Sequence, residues 1–122
     1  NLSDPRWVLG ERFILLRQDP EIAKPQKMGI FASDGWAAYV NFNTLFLKQI
    51  PIRFDAIYPD LGVNFETFTD NEMLELESLG PIESMPPKGK IEHQEHWTMV
   101  RDVPLPKSDQ DVIDQMLPHF AK

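Results

Sequence analysis

Two glutamates, Glu75 and Glu77, stand two residues apart in the run Met73 to Leu79. In an extended strand that spacing puts both carboxylates on one face and Leu74 and Leu76 on the other. A carboxylate is suited to removing a proton from a hydroxyl if partial burial lifts its pKa towards the working pH, and a like-charged neighbour pushes in the same direction. Asn64 and Glu66 share a face of the preceding run, Gly62 to Thr69, where they could hydrogen-bond hydroxyl groups. Phe68 lies on that face too and could stack on a ring. The same alternation is also met by Asn64 and Glu66 in solvent with Phe68 in the core, and by Glu75 and Glu77 on an outer face. Lys48 and Arg17 could reach a hydroxyl or an acidic group of a ligand, or simply mark solvated strand ends. Asp4 and Arg6 suit an ion pair within a loop. His93 and Glu95 alternate onto one side and His96 onto the other, which argues against converging metal ligands, so no metal and no cofactor is expected. Trp36, Trp97, Phe42, Phe46, Phe54 and Tyr58 could form a sugar platform, although aromatics at such spacing usually fill a core. No nucleophilic triad motif, phosphate-cradling glycine loop or basic-aromatic nucleic-acid pattern is present.

The elements that would carry these side chains are short. Eleven prolines in 122 residues favour many brief segments joined by sharp turns. The reading predicts strands over Arg12 to Arg17 and Met28 to Phe31, then a Ser33-Asp34-Gly35 turn. A hairpin around Asn43 joins Trp36 to Phe42 with Thr44 to Ile50. Further strands follow over Gly62 to Thr69, Met73 to Leu79 and Lys90 to Val100. Asn1 to Gly10 reads as a loop anchored by Trp7. Ser108 reads as the N-cap of an amphipathic helix, Asp109 to Leu117, whose apolar stripe is Val112, Ile113, Met116 and Leu117. Strands that do not alternate with helices predict an all-β, antiparallel β-sandwich with one short C-terminal helix.

Twelve Lys and Arg against nineteen Asp and Glu give a net charge of −7, which disfavours nucleic acid and anionic membrane surfaces and leaves a neutral ligand such as a sugar open. The absence of cysteine excludes disulfides and thiolate metal sites and fits a reducing cytosol, so a bacterial cytoplasm is expected, with a bacterial export pathway as the alternative that would also deliver a cysteine-free chain. A chain that opens on Asn1 is expected to be part of a longer protein.

The order of several motifs carries a resemblance. Gly62-Val63-Asn64-Phe65-Glu66-Thr67-Phe68-Thr69-Asp70-Asn71 is followed by Leu76-Glu77-Ser78-Leu79-Gly80-Pro81, then by Pro87-Lys88-Gly89 and His93-Gln94-Glu95-His96-Trp97. Over these roughly forty residues the chain resembles the late strands of aldose 1-epimerases and other galactose-mutarotase-like proteins, with Ser3-Asp4-Pro5-Arg6-Trp7 and Tyr58-Pro59-Asp60 adding to the likeness. It departs from them at Glu66, where the epimerases tend to carry glutamine, and in a shorter loop after Leu79. The resemblance implies part of a galactose-mutarotase-like supersandwich and a carbohydrate-binding function. It implies Glu77 as the base acting on the anomeric hydroxyl, with Glu75 as its alternative, and Glu66, Asn64, Glu75, Lys48 and Arg17 around the substrate. The acid histidine would lie upstream of Asn1, so the isolated chain would be inactive. A non-catalytic sugar-binding module and a purely structural sandwich are the alternatives, and pairing with a second copy or with an N-terminal half is expected.

Overall fold

A computed structural model describes residues 1–120. Among the described residues there are eight strands in three antiparallel sheets, a sandwich-like all-β architecture closed by one short helical segment. The first sheet pairs β1 (Trp7–Leu9) with β2 (Ile14–Leu16). The second has the order β3 (Gln26–Ile30), β6 (Phe65–Thr69), β7 (Leu74–Ser78). The third has the order β4 (Trp36–Asn41), β5 (Thr44–Gln49), β8 (His96–Arg101).

The β4–β5 hairpin forms where alternation predicts it. Its two-residue turn places Phe42 at φ 48° and Asn43 at φ 55°, the left-handed pair that suits the twist of the flanking strands. One face of this sheet carries Val40, Leu45 and Val100, which pack with Val103, Val112 and Met116 as the core. Trp36 also belongs to that face, its ring against Phe13 and Phe120 at centroid distances of 5.9 and 4.5 Å. The opposite face carries Tyr39, Phe46, Lys48, Trp97 and Met99.

Four expectations need correction. Trp7–Leu9 is a strand, not loop: it pairs with Leu16 to Ile14, and Trp7 is buried with its indole Nε1 donating to Gln26 Oε1 at 2.9 Å. Strand β6 begins at Phe65 rather than Gly62, because positive φ at Asp60, Leu61 and Gly62 turns the chain and Asn64 is used as a clamp. The last strand starts at His96, not Lys90. His96 pairs with Gln49, and beyond Gln49 the partner strand has no free donor to offer, since Ile50 N is bonded to Gly35 O and Pro51 has no N–H. The terminal helix keeps its Ser108 cap, accepting from Asp111 N, but only Asp109–Asp111 is α-helical. Val112–Met116 is π and Leu117–His119 is 3₁₀, so the apolar stripe shortens to Val112 and Met116 as its buried members. No helix among the described residues is long and apolar enough to cross a membrane.

Candidate functional site

The register sets Glu66 directly opposite Glu77, so the two carboxylates leave neighbouring strands on the same face of the second sheet. They differ in surroundings. Glu77 is exposed. Glu66 is buried, with Oε2 2.7 Å from the Lys27 ammonium. The Lys27 hydrogen bond holds the Glu66 carboxyl below its ordinary range, while the charged Glu66 beside Asp60 pushes Asp60 up. Glu75, half-buried, sits opposite Phe68. Asn64 is fully enclosed: its Oδ1 accepts from Ala32 N at 2.7 Å and its Nδ2 donates to Ala32 O at 3.1 Å, which places its amide out of a ligand's reach. Arg17 is exposed and pairs with Asp19 at 3.3 Å. Arg6 and Asp4 form the expected ion pair, at 2.9 Å, and Arg6 also ties down Ile22 O.

Lys48 is at no solvated strand end. It is buried, its Nζ donates to Leu76 O at 2.8 Å, and Glu95 Oε1 lies 3.2 Å away. That contact opens a cluster whose members lie far apart along the chain. Ser78 Oγ donates to Glu95 Oε1 and lies 2.7 Å from His93 Nε2. Trp97 Nε1 donates to Glu95 Oε2 at 2.7 Å. Burial alone would raise the Glu95 pKa, but hydrogen bonds from Ser78, Trp97 and Lys48 outweigh it and hold the carboxyl below its ordinary range. With the serine proton committed to the carboxylate, the His93 Nε2 proton points at Ser78 Oγ. Donors therefore run from histidine to serine to glutamate, the reverse of a serine activated by a histidine base. His93 is seated against Gly80, where an added Cβ would come within 3.1 Å of Nδ1. A small hollow of about 120 Å³ adjoins it, lined by Arg53, Leu79, Gly80, Ile91 and His93 among others.

On this cluster stands an indole. Trp97 is 63% exposed, its edge fixed by Glu95, one side braced edge-on by Phe46 at 5.4 Å and the Lys48 ammonium 6.0 Å from its ring centre. Met99, also exposed, is two residues along the same sheet face. The two tryptophans that the sequence groups together thus part company: Trp36 is core and Trp97 is surface.

No family model, curated protein or solved structure matches the chain.

Sequence reasoning brings together Glu66 with Glu77 and also His93 with Glu95, although the latter meet through a loop and not along a strand. It does not reach Lys27 or Asp60 beside Glu66, nor Ser78 beside His93. Asp60 is visible only as part of Tyr58-Pro59-Asp60, and the Ser78–His93 contact joins residues fifteen apart with no local spacing to signal it.

Proposed function

We propose that this chain is a carbohydrate-binding module that holds a sugar on the Trp97 face without turning it over. The observation that carries the reading is the exposed indole whose orientation is locked by Glu95. The π face of an aromatic ring is electron-rich, and the C–H face of a pyranose presents weakly positive hydrogens to it. Beside the ring the Glu95 carboxylate and the exposed His93 imidazole can pair with hydroxyls, while Ser78 and buried Lys48 are engaged with Glu95 and hold it in place. A fixed apolar plate with a few convergent polar groups is the chemistry of a small-molecule site. A rigid plate also spares the ordering cost of capture.

An epimerase reading would rest on Glu77, which shares its face with Glu66. Glu66, however, is already neutralised by Lys27, and Glu77 stands exposed with no histidine bonded to it among the described residues, so a non-catalytic role fits better.

Calorimetry against a panel of neutral mono- and disaccharides tests the proposal. Binding is expected for at least one sugar, with an affinity loss of about tenfold or more in Trp97→Ala. Equal affinity in wild type and variant would remove the platform, and mutarotation by the isolated chain in a polarimeter would remove the non-catalytic reading.

A further inference from the structure

Two free strand edges face one cleft. In the third sheet β4 has a neighbour on one side only, and in the first sheet so does β2. Ladder parity identifies the unpaired groups. Ile50 N donates to Gly35 O, so the odd-numbered positions of β4 bond to β5, and Trp36, Ala38 and Val40 direct their N–H and C=O groups outward. Gly10 N donates to Phe13 O and Arg17 N to Arg6 O, which leaves Ile14 and Leu16 of β2 outward in the same way. Among the described residues no loop, turn or further strand offers these five a backbone partner.

All six residues of β4 and all three of β2 line a cleft of about 770 Å³. Consecutive residues of a strand can all line one space only if its edge, and not just one face, looks into it. The opposite wall is apolar: Met28, Leu74 and Leu76 of the second sheet are half-buried there. By contrast the β7 carbonyl of Leu76 is capped by the Lys48 ammonium, the protection that exposed edges usually receive. A bare row of donors and acceptors beside an apolar wall matches one kind of guest. A main chain satisfies the row, and alternate side chains fill the wall.

We infer that this cleft receives one extended β-strand of a different polypeptide, with apolar side chains at alternate positions and polar ones between. The charged side chains along the cleft are of both signs, with Arg12, Arg17 and Lys107 beside Asp34 and Glu66, so the guest's intervening positions are polar with no preferred sign of charge. A second copy joined edge to edge across a twofold axis does not fit, because each edge is recessed and a self-complementary contact cannot be concave on both sides. The site is separate from the Trp97 face and does not depend on sugar binding there.

The probe is a synthetic nonapeptide, Lys-Val-Thr-Val-Lys-Val-Thr-Val-Lys, titrated into the intact chain by calorimetry beside an analogue N-methylated at three alternate central positions. One-to-one binding is expected. The analogue, losing about three backbone hydrogen bonds, should bind roughly a hundredfold more weakly. Amide exchange at Trp36, Ala38 and Val40 should be fast in the free protein and slow by tenfold or more with the peptide. Ala38→Pro, which removes an outward donor and leaves the β5 ladder intact, should weaken binding while the far-ultraviolet spectrum is retained. Equal affinity for the two peptides, or no saturable heat, overturns the inference. So does light scattering showing a dimer whose β4 amides are already protected, because a second copy would then own the cleft.

Discussion

At the residue scale, the cluster around Glu95 depends on one charge. The carboxylate accepts from Ser78 and Trp97 and lies beside Lys48, whose side chain is only 11% exposed. Glu95→Gln leaves that ammonium nearly enclosed without its counter-charge and weakens the grip on the indole. A stability loss of about 2 kcal/mol at neutral pH is expected from chemical denaturation. The pH dependence has a definite sign. The folded-state pKa of Glu95 lies below the ordinary value of 4.5, so its contribution is fully present above that value and drains away as the pH falls below it. The stability gap between wild type and Glu95→Gln should therefore close on acidification, and a gap that widens with acid would contradict the arrangement. Glu66, which is buried where Glu95 is half-buried, is a second carboxylate held ionised by a lysine, but it is sealed by that lysine where Glu95 supports an exposed ring.

At the element scale, the turn that starts the β4–β5 hairpin has little tolerance. Gly35 has φ +70°, and a Cβ there would stand 2.6 Å from Ile50 O, the residue whose N–H bonds back to Gly35. Gly35→Ala meets both backbone strain and a main-chain clash, so thermal unfolding should show a loss of roughly 2 kcal/mol or more. An unchanged melting temperature would mean that the turn is not built this way. The C-terminal segment acts on the same sheet from the other end: Asp109 accepts from Arg12 N and Phe13 N, linking the start of the chain to its end, while Val112 and Met116 cover Val40 and Leu45. That covering leaves Phe46, Trp97 and Met99 on the opposite face.

At the scale of the whole molecule, the parts legible in the sequence are those set by local alternation. The β4–β5 hairpin, β6, β7 and the Ser108 cap all follow from side-chain period, turn residues and one capping oxygen. So does the shared face of Glu66 and Glu77. What stays hidden depends on contacts distant in sequence. Strand β1 has only three residues and exists because β2 offers a partner. Asn64 sits at a position where continued alternation would turn its amide outward, yet the chain breaks just before Phe65 and the amide closes on Ala32. Ser78, His93 and Glu95 meet only after the irregular segment before β8 folds back over β7. Trp36 and Trp97 are alike as letters, and only the sheet decides which one is covered.

The locked indole of Trp97 is the proposed sugar platform. Its most direct test is the Trp97 indole N–H resonance in a nuclear magnetic resonance titration with the neutral sugar panel. A saturable shift of that signal, shared by the Lys48, Ser78 and His93 amides, is the result this account predicts. Saturating sugar that leaves the indole unmoved, or that moves only residues remote from β8, would contradict it.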